Sequence, residues 1–400
     1  MQVNREQFME QGYLILPDVI PPDRLDRVRQ AVEGMVVRRQ ETSRQQRTPD
    51  QPPGGWWEAS AQPRLSFDRD VDASSGSVLD CLTNENTLGV CRQLIDADEI
   101  ALHNLNCMCS AVSQDTGPAD WHRDIGPGDP APLRGMIANM VAHGPSYLQW
   151  NIALYDDSVL WVVPGSHLRV NTKEENNQLS ENSKIPLPGG IPVELKAGQG
   201  VVYTHLLLHW GSNYTRKLRR AIHPGYRPIG FSSIPNVHWR HWEPGFYHYL
   251  TPETRTLFET WDSLFLKELG QFARVFHAMI NRDSEAFYTE FGNVHPSPQE
   301  KLVSLVMLSK LAGKLYRLKT TPTPPGNLWG NSRDMAYFGS LFTVEQAETL
   351  RDRFQRLEEQ LTFPDARRTP GFQGFQSQYN PDDLPEGFSL TNFVASWQAS

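Results

Sequence analysis

Cysteine is scarce in this sequence, with four residues among 400. So few cysteines cannot supply the dense disulfide framework of small secreted domains. Cys107 and Cys109 form a closely spaced pair, but a metal-binding set of thiols would need a second such pair, which the sequence lacks. We therefore expect buried, reduced thiols rather than a metal or redox site.

Long apolar runs and strong positive charge are also missing. No apolar run approaches the roughly 20 residues that a membrane-spanning helix requires, and residues 1–7 lack the apolar core of a secretion signal. The 38 basic residues are outnumbered by 46 acidic ones, giving a net charge of −8. These features argue against a membrane or a nucleic acid as the main partner and predict a cytoplasmic protein that acts on a small molecule.

The length and a change of character along the chain indicate two regions. Four hundred residues exceed the usual size of one hydrophobic core. Short apolar runs separated by glycine and proline occupy the first part, whereas long segments with helical periodicity follow. We predict a domain over residues 1–230 and a helical, aromatic-rich extension over residues 231–400 that packs on it, in a monomer or a homodimer.

Strand-like runs dominate the first region. They cover Gln149–Leu154, Leu160–Val163, Val193–Leu195, Val201–Leu208 and Arg220–Tyr226. Many short strands with turn signals indicate a sandwich or barrel of the jelly-roll type, whose mouth can hold a small ligand. In the extension, helical periodicity covers Thr254–Asn281, Pro298–Leu318 and Thr343–Leu361. Residues 41–64 and 125–146 are predicted to be loops, and residues 363–400 to lie on the surface.

A His-x-Asp sequence with a distant second histidine is the main chemical motif. A strand would direct His122 and Asp124 to one face and Arg123 to the other. With His209 they would supply two imidazoles and one carboxylate, the set that holds non-haem Fe(II) and leaves three coordination positions open. An arginine soon after His209 suits a dicarboxylate co-substrate, because a guanidinium can form two parallel hydrogen bonds to its remote carboxylate.

The sequence around this motif resembles the phytanoyl-CoA dioxygenase family, which includes ectoine hydroxylase. The resemblance covers roughly residues 5–230 and rests on an opening strand and helix, the His-x-Asp motif, a Pro-Gly-Ser-His segment, a later His with Gly-Ser, and an Arg-x-Ala sequence. These are found at Phe8–Asp18 and Pro22–Arg29, at His122 and Asp124, at Trp161–His167, at His209–Ser212 and at Arg219–Ala221.

The resemblance implies a double-stranded β-helix of the cupin type with flanking helices, and Fe(II), 2-oxoglutarate and O2 at His122, Asp124 and His209. It implies Arg219 as the anchor of 2-oxoglutarate, with Arg220 as the alternative. Strand alternation favours Arg219, which would share a face with Ala221.

The resemblance also implies two further contacts to the co-substrate, from Ser212 and Trp150. Trp210 is inserted between His209 and Gly211 relative to the family, which shifts the register on which Ser212 depends. Trp150 is either a pocket-lining aromatic residue or part of the core.

The predicted function is hydroxylation of an unactivated C–H bond in a small organic substrate, with release of succinate and CO2. Asp124 favours hydroxylation, because a related halogenating class lacks this carboxylate. An acyl-CoA, an amino-acid derivative and a secondary metabolite are all compatible substrates. The alternative is a non-catalytic jelly-roll protein that binds a metal or another ligand.

Two other features leave alternatives open. The loop Gly126–Pro132 directly follows the His-x-Asp motif and would be either a substrate lid or a connector. His238, His241 and His248 lie among aromatic residues, where a packed patch is favoured over a second metal site.

Overall fold

Nine β-strands and fourteen α-helices occur among the residues that the computed structural model describes. These are residues 1–111, 113, 115–125, 133–213, 217–229, 242–294, 298–322, 333–361, 370–371 and 389–398. The chain forms two compact units, each assembled from separate stretches of sequence. We call residues 1–124, 147–227 and 243–259 the sheet unit, and residues 125–146, 228–242 and 260–400 the helical unit. The predicted division into 1–230 and 231–400 stays a prediction.

The strands form two sheets. They are β1 Tyr13–Leu16, β2 Arg64–Ser66, β3 Ile100–Cys109, β4 Leu148–Ala153, β5 Leu160–Val162, β6 Ile191–Pro192, β7 Gly200–Thr204, β8 His209–Gly211 and β9 Arg220–Pro228. The larger sheet has the order β1-β7-β4-β9-β3-β2 and the smaller one the order β6-β5-β8. β4 pairs antiparallel with β7 and β9, and β5 pairs antiparallel with β6 and β8.

One hydrophobic cluster joins the two sheets. Ala153, Val201 and Tyr203 come from the larger sheet, and Leu160 and Val162 from the smaller one. All five are buried, so each sheet removes the apolar face of the other from water. The predicted antiparallel, sheet-rich core with helices is confirmed, while the double-stranded β-helix topology stays a prediction.

Helices flank the sheets within the sheet unit. They are α1 Arg5–Gln11, α2 Pro22–Gln45, α3 Trp56–Ala59, α4 Phe67–Asp70, α5 Asp80–Thr83, α6 Leu88–Ile95 and α8 Lys173–Glu181. In α2, Val28, Val32, Met35 and Val36 are buried at spacings of three and four, which marks the face that packs inward. The helix continues to Gln45, into a segment predicted to be loop.

The helical unit contains α7 Leu133–His143, most of α9 Pro252–Ile280, α10 Ser284–Val294, α11 Pro298–Thr320, α12 Arg333–Ser340, α13 Val344–Leu361 and α14 Leu390–Gln398. Phe276 of α9 contacts the rings of Phe338, Phe342 and Phe354 at centroid distances of 5.9, 5.9 and 6.3 Å. Other helices of the same unit therefore bury this end of the apolar face predicted for α9. None of the helices in the described part of the chain is long and apolar enough to cross a membrane.

Several local predictions are wrong. Residues 125–146 were expected to be loop because of their prolines, but Leu133, Met136 and Met140 are buried at helical spacing in α7. α14 lies in the segment expected on the surface, and its Trp397 is 1% exposed. The strand predicted to continue to Leu208 ends at Thr204 in a turn. Gly126–Pro132, His238 and His241 lie outside the described residues.

Candidate metal centre

His122, Asp124 and His209 bring their ligand atoms together in the sheet unit, with all three atoms within 4.8 Å of one another. Nε2 of His122 lies 3.4 Å from one carboxylate oxygen of Asp124, and Nε2 of His209 lies 3.2 Å from the other. The backbone fixes this arrangement. His122 and His209 exchange two N–H···O bonds of 2.9 Å, and the amide of Asp124 donates to the carbonyl of His205 at 3.0 Å.

Backbone carbonyls set the tautomers of both imidazoles. Nδ1 of His122 lies 2.7 Å from the carbonyl oxygen of Asp120, and Nδ1 of His209 lies 2.8 Å from that of Leu207. A carbonyl can only accept, so Nδ1 carries a proton in each ring, and Nε2 is the nitrogen that offers a lone pair when the ring is neutral. A neutral histidine that ligates through Nε2 has this arrangement in metal sites.

The electrostatics of the cluster favour a cation. Burial opposes the charge of Asp124, but His209 and His122 outweigh it and hold its pKa well below the ordinary value. For His122, burial lowers the pKa, while the hydrogen bond and charge of Asp124 raise it more, so the net shift is upward. The carboxylate is thus kept ionised by imidazoles that donate to it when they are protonated and that offer Nε2 lone pairs to a metal once that proton is lost. Two imidazoles and one carboxylate suit a divalent transition metal that keeps open coordination positions.

Two stacked tryptophans lie directly beside the ligands in sequence. Trp121 precedes His122 and Trp210 follows His209, and their rings stack with centroids 5.2 Å apart. Each indole N–H donates to a backbone carbonyl, at 2.8 Å for Trp121 and 2.7 Å for Trp210. Trp210, which interrupts the family pattern, therefore joins the two ligand-bearing segments through ring packing.

Polar residues on β4 and β9 extend the site. The Gln149 side chain donates to Oδ2 of Asp124. Asn151, on the same face of β4 by strand alternation, lies with its Oδ1 2.9 Å from Nδ1 of His223 on β9. Burial lowers the pKa of His223 to about 4, so this imidazole is neutral at physiological pH. Sequence reasoning missed Gln149, Asn151 and His223, although their period of two was the available signal.

Gly225 makes room for an aromatic ring on this face. It pairs with Gln149 across the two strands. A Cβ atom on Gly225 would lie 1.9 Å from the hydroxyl oxygen of Tyr147, so no larger residue fits there without displacing the ring. The Tyr147 ring makes edge contacts to His103 and His205.

Trp150 lies on the opposite face of β4. It is fully buried, and its indole nitrogen lies 3.2 Å from the Cys91 sulfur on α6. The structure therefore does not bring Trp150 together with the triad, and the neighbouring Gln149 and Asn151 face the site instead. His205, whose carbonyl bonds to Asp124, is itself buried and contacts the Tyr147 ring.

Arg219 and Arg220 point to different partners. Nε of Arg219 donates to Oδ2 of Asp157 at 2.9 Å, and both side chains are buried. Arg220 pairs with Glu33 of α2 at 3.0 Å. Arg219, Asp157 and Ser212 line one cavity of about 390 Å³. The two residues predicted to hold a co-substrate carboxylate, Arg219 and Ser212, thus share a cavity.

The chain belongs to the phytanoyl-CoA dioxygenase family, whose sequence profile matches residues 8–221, more than half of the chain. This confirms the resemblance stated from the sequence. The matched range contains all three residues of the candidate metal centre as well as Arg219. No curated protein matches the sequence.

Several solved structures are similar to part of the chain. AviO1 from Streptomyces viridochromogenes Tue57 is 21% identical, with 57% of this chain and 96% of that one covered and a TM-score of 0.40. EctD from S. alaskensis, solved with 2-oxoglutarate and 5-hydroxyectoine, is 17% identical, with coverages of 56% and 75% and a TM-score of 0.40. HygX from Streptomyces hygroscopicus, solved with nickel and 2-oxoglutarate, is 18% identical, with coverages of 57% and 89% and a TM-score of 0.40.

Proposed function

We propose that this protein is an Fe(II)- and 2-oxoglutarate-dependent dioxygenase, built on a double-stranded β-helix, that hydroxylates an unactivated C–H bond of a small organic substrate. The observation that carries the proposal is the convergence of His122, Asp124 and His209 within 4.8 Å, with both Nδ1 atoms bonded to carbonyls. Membership in the phytanoyl-CoA dioxygenase family supports it.

The proposed reaction accounts for both oxygen atoms of O2. The substrate C–H, 2-oxoglutarate and O2 give the substrate C–OH, succinate and CO2, so one oxygen atom enters the alcohol and the other enters succinate. Bound Fe(II) would supply the redox chemistry that couples these two oxidations. The chain contributes the ligands and their orientation. Gln149 assists by donating to the ligand Asp124, which orients that carboxylate.

Arg219 is the proposed anchor for the remote carboxylate of 2-oxoglutarate. Its guanidinium is buried and lines the same cavity as the Ser212 side chain, which can donate a further hydrogen bond. Asp157 already accepts from Nε of Arg219, which fixes the plane of the guanidinium in that cavity. Arg220 is engaged by Glu33 and is not proposed as the anchor.

One observation favours a second candidate, a metal- or ligand-binding protein without catalysis. The Arg219–Asp157 pair is already charge-balanced and buried, as expected of an ion pair that serves structure alone. In that case the chain would bind a metal at the triad but would not consume 2-oxoglutarate.

Succinate formation separates the two candidates. The full chain, loaded with Fe(II) in the presence of O2, should convert 2-oxoglutarate to succinate, and Asp124→Gly should abolish this conversion. His248→Ala is the matched control, since His248 lies in a short helix of the sheet unit and is not part of the triad. Iron binding without succinate formation would favour the non-catalytic candidate. Incorporation of label from 18O2 into an added substrate would establish hydroxylation.

A further inference from the structure

Arg123 lies between two of the proposed metal ligands and has no solvent exposure. Strand-like alternation directs its side chain to the side opposite His122 and Asp124. There the guanidinium donates to four acceptors in the described part of the chain. Nη1 donates to the carbonyls of Ser166, at 2.8 Å, and Leu206, and Nη2 donates to the carbonyl of Arg169, at 3.3 Å, and to the side chain of Asn171, at 2.9 Å.

Two of these acceptors, Leu206 and Ser166, are linked to the segment that contains His209. Leu206 precedes that ligand by three residues. The hydroxyl of Ser166 accepts the amide of Leu208, directly before His209, at 2.9 Å. One guanidinium therefore holds the segment 122–124 and the segment 206–209 together, once directly and once through the turn at Ser166.

An arginine suits this position better than other cations. Its planar fork presents donors in several fixed directions, so it can satisfy acceptors from residues 166–171 and from Leu206 at once, whereas a lysine ammonium is a single compact point charge. The acceptors Ser166 and Leu206 are buried with it, and a buried carbonyl that loses its donor is costly. The sequence position alone indicated only that Arg123 would point away from the metal.

We propose that Arg123 is a positioning residue for the metal, holding the segments of His122 and Asp124 and of His209 at the spacing that presents all three ligand atoms together. This inference rests on the metal centre of the proposed function. An arginine with a purely structural role would stabilise the metal-free and metal-loaded protein equally. A positioning arginine makes the affinity for the metal, and hence the metal-induced rise in Tm, depend on it.

Cobalt(II) alone, titrated into the full chain without 2-oxoglutarate, tests this inference. Calorimetry gives the Kd, the visible absorbance of bound Co(II) reports the ligand geometry, and thermal unfolding with and without Co(II) gives the metal-induced shift in Tm. Arg123→Met and Arg123→Lys should each weaken Co(II) binding about 10- to 100-fold, the range found for groups that orient metal ligands. Both should also change the Co(II) spectrum and reduce the shift in Tm.

Arg220→Met is the matched control, because Arg220 is also a buried arginine, 4% exposed, but pairs with Glu33. It should lower the Tm of the metal-free protein and leave the Kd for Co(II) unchanged. If Arg123→Met does not fold, Arg123→Lys and Asn171→Ala provide the test, since Asn171→Ala removes one acceptor and leaves the arginine in place. Wild-type Co(II) affinity in a folded Arg123→Lys protein would overturn the inference.

The failure of the proposed metal centre gives a different result. In that case the wild-type chain and His122→Ala would both fail to bind Co(II), which would overturn the metal centre and the positioning role together. Tight binding by the wild type, with equal affinity in the Arg123 and Arg220 variants, would overturn the positioning role alone.

Discussion

Two charged groups of the sheet unit differ in how their charges are balanced. In the triad, Nε2 of each imidazole faces the carboxylate of Asp124, so three acceptors converge once both rings are deprotonated. Around the cavity, Arg219 meets Asp157 at 2.9 Å, and a donor faces an acceptor of opposite charge. Both groups lie near β4. Gln149 of this strand contacts Asp124 of the triad, and Ala153 of the same strand pairs with Ala221, two residues after Arg219.

This difference determines what each group reveals about its ligand. Converging acceptors repel unless a proton or a metal ion lies between them, so the triad favours a positive charge at its centre. A buried pair of opposite charges is complete without a ligand, and its geometry is compatible with a structural ion pair as well as with a co-substrate anchor. The triad therefore carries the functional proposal, and the role of Arg219 depends on it.

The largest effect is expected from removing a ligand of the triad. His122→Ala or His209→Ala should abolish Fe(II) binding with the fold retained, because each removes one of three protein ligands. Elemental analysis of the purified variants, with circular dichroism to verify folding, measures the outcome. Full iron occupancy in both variants would rule out His122 and His209 as metal ligands. The contrast between a metal-binding triad and the Arg219–Asp157 ion pair would then no longer hold.

The second prediction concerns the two adjacent arginines. Arg219→Ala should raise the concentration of 2-oxoglutarate required for half-maximal turnover about 30- to 150-fold, because a carboxylate loses a charge-assisted partner worth roughly 2–3 kcal/mol. Arg220→Ala should have little effect on this requirement, since Arg220 pairs with Glu33. An exchange of the two outcomes would move the anchor to Arg220.

The third prediction is that the affinity for the metal depends on pH. The pKa of His122 is raised in the metal-free protein, so the proton stabilises that state at low pH and leaves as the pH rises through the raised pKa. A metal needs the deprotonated ring, so Co(II) affinity should fall about tenfold per pH unit below that pKa. The lowered pKa of Asp124 keeps the carboxylate ionised across this window. Calorimetric titrations at a series of pH values measure the slope, and a flat profile would contradict the prediction.

The smallest effect is expected at Asp157. Asp157→Asn keeps an acceptor for Nε of Arg219 but loses the charge, so the 2-oxoglutarate requirement should rise by up to about tenfold. Asp156→Asn is the matched control, because Asp156 is exposed and pairs with Lys196 at 2.9 Å. Steady-state kinetics of succinate release compares the two. A lower requirement in Asp157→Asn would show instead that Asp157 competes with the co-substrate for Arg219.

The family, the sheet-rich core and the helical C-terminal part could be predicted because their signals are local. Period-two spacing in His122-x-Asp124 and helical spacing in α9, α11 and α13 require only near neighbours in sequence. The site-facing side of β4 was missed, although its signal was also local, because polar Gln149 and Asn151 alternate with apolar Trp150 and Ile152. All six residues of β4 are buried, so this alternation does not separate a buried face from a solvated one, and only the contact of Gln149 with Asp124 shows which face meets the site. A shift of one residue exchanges the faces, so the sequence left Trp150 either in the core or lining the pocket, and the structure places it fully buried on the face opposite Gln149.

The sequence by itself indicated the chemical kind of the site, since two histidines and an aspartate at these spacings are typical of a metal centre, and it determined the approximate positions of β4, β5, β7 and β9 and of α9, α11 and α13. Only the tertiary structure decided which charges meet. Asp157 and Arg219 lie 62 residues apart, and Arg123 bonds to residues 43 to 83 positions away. The physical reason is the distance along the sequence over which each property is determined. Side-chain direction within a strand follows from the local backbone, whereas the partner across two strands follows from their register and from the turns between them.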